Sequence, residues 1–355
     1  MTLPGDGYFR RMSRQYPTEF FINNPTLAEA EKALEAGAIG ATTNPTYPSR
    51  LLKEQPEYVA RLIDEALGET EDDDKAADLV YQKAVAPLQK LFHPLYVETH
   101  GRQGYVAIQG DPRVNSDPAS ILDGAVRYRE LGDNIIVKVP SWPAGAEALE
   151  QMIAMDIPTV ATLGFSLDQA VYMAEAYRRA LPHARSTPPC YVVFIAGVLD
   201  TTLAEAAKQA GNNELVDLIR YAGCAVNRKV YQVFQSRGYE ARIMGGGARG
   251  PHHFLELVGG DLGITIGWNL AQQMIEADDP VVSRIGAETP EATITALEDG
   301  LVDFRRSYQE GSLRPEAFVE FSPVVGFQNT FLAGIGTLVA AVSSRRGARL
   351  VGTVR

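Results

Sequence analysis

The sequence predicts an α/β fold, a closed (β/α)8 TIM barrel with extra helices and a C-terminal extension. Short runs rich in β-branched and aromatic residues alternate with longer runs of helical periodicity from residue 19 onward. The short runs are nearly continuous in apolar residues, as expected where both faces of a parallel sheet are covered. Eight such units in a row favour a closed barrel over an open, doubly wound sheet.

The eight strand signals are separated by helical patterns. They span residues 19–24, 38–45, 104–110, 134–140, 157–165, 190–197, 240–247 and 260–267. The first helical pattern stops at Gly37, a residue type common at the ends of helices. Two helical stretches, 50–67 and 73–92, follow the second strand, and the acidic segment between them is interpreted as a solvated helix start.

Three segments are predicted along the chain. Residues 1–18 form an N-terminal extension, 19–280 the barrel, and 281–355 a C-terminal part. In the last part, residues 289–310 have the pattern of an amphipathic helix. The apolar, glycine-rich stretch 321–344 is interpreted as too short and too interrupted to span a membrane, and is expected to pack on the barrel or on another subunit. A homo-oligomer is compatible with this arrangement.

Composition excludes several classes of partner. The chain has 33 Lys and Arg residues against 44 Asp and Glu, a net charge of -11, which argues against nucleic acid as a partner. A pocket with one or two arginines can still bind a phosphorylated metabolite. The N-terminus lacks an apolar signal segment, and no run of 18 apolar residues occurs, so a cytoplasmic protein without a membrane partner is predicted. Cys190 and Cys224 have no metal-ligand spacing and are interpreted as buried thiols.

Lys138 is the most distinctive polar residue, because it interrupts an apolar strand. In a barrel of this kind the active-site groups gather at the carboxyl ends of the strands. Burial of a lone ammonium group lowers its pKa, and a free amine can attack a carbonyl group. The alternative is a lysine that forms a salt bridge to a neighbouring strand, and the local sequence does not decide between the two.

Four more polar residues lie at predicted strand ends. Asn44 and Gln109 could hold sugar hydroxyls, although Asn44 also fits a turn before Pro45. Thr162 could position a water molecule, although threonine is common in strands. Arg249 ends a glycine-rich segment before a helix, where barrels often bind phosphate.

The order of these segments resembles that of the transaldolases. Residues 40–54 resemble the first signature of that family, and residues 134–152 resemble the segment that holds its Schiff-base lysine. Residues 157–176 and 241–250 follow in the same order, so the resemblance covers roughly residues 19–310. It implies a class I aldol mechanism without cofactor or metal, in which Lys138 attacks the ketone of a donor sugar and a three-carbon enamine passes to an aldehyde.

The resemblance also implies roles for individual residues. Thr43 and Asn44 would contact the donor, and Thr162 would order the catalytic water. Arg249 would bind the acceptor's phosphate. Phe165 falls where transaldolases have Phe and fructose-6-phosphate aldolases have Tyr, which favours transfer, whereas Gln109 matches the aldolases.

Three positions depart from the family pattern. Asn23 stands where an acidic acid/base residue is expected, and an amide cannot shuttle protons, so Asp111 is a candidate replacement. Gly197 stands in place of a second phosphate-binding Arg, and Gly247 in place of a Ser. Loss of one guanidinium weakens phosphate binding by about 1.5–3 kcal/mol. An acceptor without a phosphate, or with another group, is therefore predicted.

Three functions remain open at this point: transfer of a dihydroxyacetone unit, a lyase reaction of the same family, and a catalytically weakened barrel that binds a sugar. The partner in each case is a small-molecule sugar or sugar phosphate. A metal-dependent aldolase finds no support in the spacing of the histidines. His252 and His253 stay candidates for the site because they lie close to Arg249 in sequence.

Overall fold

A computed structural model describes residues 6–353 and shows a closed parallel barrel. Each strand pairs in parallel with the next, and the first pairs with the last. The strands are β1 (Glu19–Asn23), β2 (Gly40–Thr42), β3 (Val106–Gln109), β4 (Ile135–Pro140), β5 (Thr159–Gly164), β6 (Cys190–Ile195), β7 (Arg242–Gly246) and β8 (Gly263–Ile266). The predicted (β/α)8 fold is confirmed.

The described residues form sixteen α-helices. They are α1 (Tyr8–Gln15), α2 (Leu27–Ala36), α3 (Tyr47–Glu54), α4 (Pro56–Ala66), α5 (Asp73–Glu98), α6 (Pro118–Arg129), α7 (Pro143–Ala154), α8 (Leu167–Ala180), α9 (Ala196–Gln209), α10 (Val216–Ile219), α11 (Ala222–Arg237), α12 (His252–Leu255), α13 (Trp268–Ala277), α14 (Glu291–Gly300), α15 (Val302–Tyr308) and α16 (Ser322–Thr353). Short 3-10 helices cover Pro112–Val114, Leu181–His183, Asn213–Leu215 and Pro315–Glu320.

Local sequence signals explain several element ends. Gly37 ends α2 in the left-handed region, at a φ of 111°, as the sequence predicts. Asp72 caps α5 by accepting hydrogen bonds from two backbone amides of the first turn. The second strand is shorter than predicted because Asn44 and Pro45 already belong to the turn that leads into α3.

The N-terminal segment supports the barrel from the amino end. Residues 1–5 of the predicted extension lie outside the described residues. Helix α1 buries Tyr8, Phe9 and Met12, and the ring of Phe9 stacks on Phe20 of β1 at 4.1 Å between centroids. Phe254 of α12 meets the same Phe9 edge to face at 5.3 Å, so the segment is packed on the domain.

A charged network closes the amino end of the barrel. Arg242, the first residue of β7, donates hydrogen bonds to Glu19 at 2.7 Å, to Asp261 at 2.9 Å and to the hydroxyl of Tyr191 at 3.0 Å. Burial raises the pKa of the Glu19 carboxyl, and the Arg242 guanidinium opposes this shift. Each of these polar groups has a partner, which is what a buried network needs to be stable.

Two predictions for the C-terminal part are wrong. The stretch predicted as one amphipathic helix at 289–310 is divided between α14 and α15, with Leu301 in an extended conformation between them. The stretch predicted as interrupted is one helix of 32 residues, because its glycines lie within α16 without breaking it.

Helix α16 lies across the carboxyl side of the barrel. Phe331, Leu338 and Val342 are buried on its inner face. Arg345 pairs with Asp64 at 2.6 Å, which fixes the far end of the helix on α4. By length and composition, 322–349 could cross a membrane, with a mean hydropathy of 1.5 and 28% of the apolar window buried. A helix that packs one face on a soluble domain passes the same test.

Candidate active site

A cavity of about 520 Å³ opens at the carboxyl ends of the strands. Each of the eight strands, or the loop after it, contributes to its wall, and α9 and α16 close its outer side. The residues that the sequence predicts and that the cavity brings together are Asn23, Asn44, Gln109, Lys138, Thr162, Gly247 and Arg249. They come from six different segments of the chain, and it is the folding of the barrel that brings them together.

Lys138 lies in the middle of the buried strand β4 and is 8% exposed. Within the described part of the chain, its amino group has no hydrogen bond and no ion pair, so the alternative of a salt-bridged lysine is wrong. Burial without a compensating charge lowers the pKa of Lys138 to about 7. A large fraction of the side chain is therefore a free amine, and thus a nucleophile, near neutral pH.

Gln109 is the neighbour of Lys138 across the β3–β4 ladder. Its side chain is 3% exposed, and its Oε1 is buried without a hydrogen-bond partner among the described residues. An unsatisfied buried acceptor is costly, and it is commonly found where a ligand or a water molecule completes the hydrogen bond. The carbonyl of Gln109 is therefore available to a hydroxyl group next to the lysine.

Asn23 reaches the cavity as a donor. The hydroxyl of Thr42 donates to Asn23 Oδ1 at 3.0 Å, and the Oγ1 atoms of Thr42 and Thr265 share a hydrogen bond of 2.6 Å. This chain fixes the orientation of the amide and leaves its NH2 group for the cavity. Asn23 can bind a hydroxyl group, but it cannot carry a proton as a carboxylate does.

Asn44 is both a turn residue and a wall residue. Its Oδ1 accepts hydrogen bonds from the backbone amide of Thr46 at 3.0 Å and from the Thr46 hydroxyl at 2.6 Å. Asn24 donates to the same oxygen at 3.3 Å. The amide nitrogen of Asn44 is thus turned away from the turn, which makes the two interpretations of this residue compatible.

Thr162 lies on β5 just before an irregularity in the strand. The β5–β6 register shifts between Ala161 and Gly164, and Leu163 adopts a φ of 64°, which is uncommon for a branched residue. The buried side chain of Gln169 donates to the carbonyls of Ser141 and Leu163 at 3.0 and 3.1 Å. Gln169 therefore joins the ends of the strands that carry Lys138 and Thr162.

Three predicted residues lie elsewhere. Thr43 points away from the cavity, and its hydroxyl bonds to the Tyr81 hydroxyl at 2.8 Å and to a backbone carbonyl. Phe165 is fully buried behind the wall, where it meets Phe327 edge to face at 6.1 Å. Asp111 faces a neighbouring cavity that also reaches Lys138, and Arg113 holds its carboxylate through hydrogen bonds of 2.9 and 3.0 Å.

The loop after β7 carries the cation of the site. Within the described residues, Arg249 has no ion pair, and burial lowers its pKa. The backbone amide of Arg249 donates to Nδ1 of His253 at 3.4 Å, and Nε2 of His253 therefore carries the proton that it donates to Asp200 at 2.9 Å. Asp200 and His253 hold the loop in place.

Asp200 and the two adjacent histidines lie close enough together to meet the distance requirement of a metal site. Ligand atoms of Asp200, His252 and His253 lie within 4.8 Å of one another. Both ring nitrogens of His253 are already engaged, so a metal would have to break one of its hydrogen bonds. The arrangement fits an anchor for the loop better than a metal centre.

Residues 20–313 match the family described as Transaldolase/Fructose-6-phosphate aldolase. The chain belongs to this family. The resemblance carried by residues 40–54 and 134–152 is thereby confirmed.

Several curated proteins named transaldolase are similar at low identity. That of Thiobacillus denitrificans is 28% identical over 216 residues, which cover 58% of this chain and 60% of that protein. Those of Arthrobacter sp. and Streptomyces avermitilis are 27% and 26% identical, over 57% and 58% of this chain and 56% of each relative. The matched part thus spans less than two thirds of these relatives.

Some wall residues of this family member were not predicted from sequence. Thr265 interrupts the apolar strand β8 and carries the same signal as Lys138, a polar residue in a covered strand. Phe327 and Phe331 of α16 line the cavity, but apolar residues in an apolar helix give no sign of that position. Glu205 of α9 is the one carboxylate in the described wall, on an exposed turn of its helix.

Proposed function

We propose that this chain catalyses a class I aldol reaction, the transfer of a three-carbon dihydroxyacetone unit from a ketose to an aldehyde through a Schiff base on Lys138. The observation that supports it most is the unpartnered Lys138 amine, which is buried in β4, lines the cavity at the carboxyl ends of the strands and has a pKa of about 7. Membership in the transaldolase and fructose-6-phosphate aldolase family supports the same reaction.

The proposed reaction begins with attack of the Lys138 nitrogen on the ketone carbon. Loss of water gives an iminium ion, whose positive charge accepts the electron pair of the C3–C4 bond when the C4 hydroxyl loses its proton. The aldehyde half leaves, and the enamine attacks the acceptor aldehyde in the reverse sense. Hydrolysis of the new iminium ion returns the free lysine.

In the proposed mechanism, proton transfer proceeds without a carboxylate in the inner part of this cavity, because Asp111 lines the neighbouring cavity with its carboxylate bound by Arg113. Asn23 and Gln109 are amides, and Glu205 lies on the outer wall of the cavity. We therefore assign the C4 proton to a water molecule held by Thr162 and the free acceptor of Gln109. This water passes the proton on to solvent, because the Lys138 nitrogen is part of the iminium ion at this step and cannot accept it. This makes the C–C bond step slower than one assisted by a carboxylate.

Borohydride trapping tests the proposal. Reduction in the presence of dihydroxyacetone should add the mass of the reduced adduct to the peptide that contains Lys138, and Lys138→Met should give no adduct. Glu147→Gln, on the outside of α7, serves as a control for the effect of substitution. An unchanged mass of the Lys138 peptide in the wild-type chain contradicts both enzymatic functions and leaves the sugar-binding barrel.

A lyase reaction is the second candidate, supported by Gln109, which matches the aldolase branch of the family. The two reactions differ in the fate of the three-carbon unit. With a ketose and no acceptor aldehyde, a lyase releases free dihydroxyacetone over many turnovers. A transferase releases one equivalent of the aldehyde product per site and keeps the three-carbon unit on the lysine. Product quantification by chromatography distinguishes them.

The remaining assignments are proposals that follow from the same site. The partner is a small-molecule sugar, the barrel at 19–280 carries the chemistry, and the part at 281–355 closes the cavity through α16. Cys190 and Cys224 are buried free thiols, which agrees with a reducing, cytoplasmic location. Gel filtration with light scattering would measure whether a homo-oligomer forms.

A further inference from the structure

The cavity wall is almost without charge. Among the described residues, three ionisable side chains line it: Lys138, Arg249 and Glu205. Above neutral pH the lysine is largely uncharged, and the other two have opposite signs. Four amide and six threonine side chains make up the rest of the polar wall. Such a surface offers many neutral donors and acceptors and no excess of positive charge.

A wall of this kind is poorly suited to a phosphate ester. A phosphate monoester carries about -1.5 to -2 charges near pH 7 and is usually held by more than one cation or by several backbone amides. Here a single guanidinium would face that charge, and Glu205 lies in the same wall. Hydroxyl groups, by contrast, can both donate to and accept from the amide and threonine side chains of this wall.

Close backbone packing excludes a cationic side chain at position 197, just after the carboxyl end of β6. A Cβ atom at Gly197, in the first turn of α9, would lie 2.6 Å from the carbonyl oxygen of Gly247 and 2.8 Å from the amide nitrogen of Arg249. No side chain fits there unless the loop moves, because real Cβ contacts are not this short. The loop that carries Arg249 therefore fills the space that a side chain at position 197 would need.

Gly247 is restricted by its own backbone conformation and by the side chain of Ile195. It has a φ of 66°, in the left-handed region that favours glycine, and a Cβ atom would lie 2.3 Å from Cγ2 of Ile195. A hydroxyl-bearing residue at this position would face both a backbone strain and a steric clash. The two glycines thus leave Arg249 as the one arginine in the described wall of the cavity.

We infer that the substrates of this site are unphosphorylated polyhydroxylated carbonyl compounds, whose hydroxyls bind to the amide and threonine wall while Arg249 hydrogen-bonds to an uncharged end group. The inference rests on the proposed Schiff-base chemistry of Lys138. The proposed substrate differs from a sugar phosphate in its uncharged end group. A matched pair of substrates, with and without the phosphate, can distinguish the two.

The test is borohydride trapping with dihydroxyacetone, fructose and fructose 6-phosphate, followed by intact mass. Each rate constant is divided by the fraction of the sugar in its open keto form. An adduct with dihydroxyacetone verifies the Schiff base independently of any end group. The inference then expects fructose to react about tenfold faster than its phosphate ester or more, taking the loss of one charged hydrogen bond as the measure.

The outcomes separate the two proposals. No adduct with dihydroxyacetone contradicts the proposed function itself. An adduct with dihydroxyacetone, combined with an equal or higher constant for fructose 6-phosphate or with no adduct from either hexose, overturns the inference and leaves the Schiff base intact.

A charge variant tests the physical reason. Glu205→Gln gives the wall a net positive charge, so the ratio of the phosphate ester's constant to that of fructose should rise about fivefold, the effect of roughly 1 kcal/mol between charges in a solvated site. Glu214→Gln makes the same change of net charge at an exposed position outside the cavity and should leave the ratio unchanged. An equal rise in both variants, or in neither, contradicts the charge argument.

Discussion

The two ends of the barrel treat buried polar groups in opposite ways. At the amino end, Arg242 contacts Glu19, Asp261 and Tyr191, and each charge has a partner. At the carboxyl end, the amine of Lys138 and the Oε1 atom of Gln109 have none among the described residues. Both ends are built from the same strands, so the difference is not one of fold.

The difference separates stability from function. A buried polar group is tolerated when it is hydrogen-bonded or paired, and it destabilises the protein when it is not. The paired residues at the amino end therefore stabilise the barrel. The unpaired residues at the carboxyl end reduce its stability and leave bonding capacity for a ligand, as expected for the active face of this fold.

The largest expected effect comes from Lys138→Met, which removes the unpaired amine and keeps a side chain of similar length. Borohydride trapping and turnover should fall by roughly 1000-fold or more, because the nucleophile is lost. Unfolding in urea should show a variant more stable than the wild type. Loss of stability together with loss of activity would contradict the comparison.

The stability gain should depend on pH with a definite sign. The pKa of Lys138 is lowered in the folded state, so the unfolded chain binds more protons between about pH 7 and 10.5. The wild type therefore gains stability relative to Lys138→Met as the pH rises through this window. Below pH 7 the difference between the two proteins should be constant.

Arg242→Met should give the opposite result at the amino end. Removal of the guanidinium leaves Glu19 and Asp261 without their cation, and we expect a loss of about 1–3 kcal/mol in the free energy of unfolding. Trapping per folded molecule should stay within about twofold, because these residues lie outside the cavity. A large loss of trapping in the folded variant would show that the two ends are coupled.

The pH dependence of the trapping rate should show the effect of having an amide, and not a carboxylate, at position 109. For the wild type, the rate should rise about tenfold per pH unit below 7 and level off above it, because only the free amine reacts. Gln109→Glu places a carboxylate on the neighbouring strand and should move the midpoint up by about one unit. Gln235→Glu, exposed on α11, should leave the midpoint unchanged.

The smallest expected effect concerns the anchor of the Arg249 loop. His253→Phe removes the acceptor of the Arg249 amide and the partner of Asp200. We expect KM for a ketose to rise about threefold to tenfold, with kcat changed less, because one modest hydrogen bond positions the binding residue and not the lysine. A fall in kcat at constant KM would assign His253 to the chemistry instead.

The sequence predicts the barrel and its lysine because both produce strong local signals. Strands covered on both faces are continuous in apolar residues, and a lysine within one of them stands out. It is harder to predict whether a side chain near a strand end faces the cavity or points away from it. Thr43 and Asn44 are adjacent and point in different directions, and the bulge in β5 adds one residue before Phe165, which changes the face to which that ring points.

The local sequence gives no sign that α16 contributes residues to the cavity wall. Phe327 and Phe331 reach the cavity only because the helix crosses the barrel and its far end pairs with α4. Apolar residues of this kind fit a buried face, a subunit contact or a cavity wall equally well. Their position follows from tertiary packing, which composition and periodicity do not contain.

The contact between Gly197 and Gly247 has a consequence for how this protein can diverge. A side chain at position 197 would need the room that the Gly247 carbonyl occupies, and a side chain at position 247 would meet Ile195 and Val198, which flank Gly197. The effects of substituting the two positions should therefore be non-additive. An arginine at position 197 arriving alone would displace the loop before it could bind anything. A second cation at position 197 therefore requires a simultaneous change in the loop that carries Gly247.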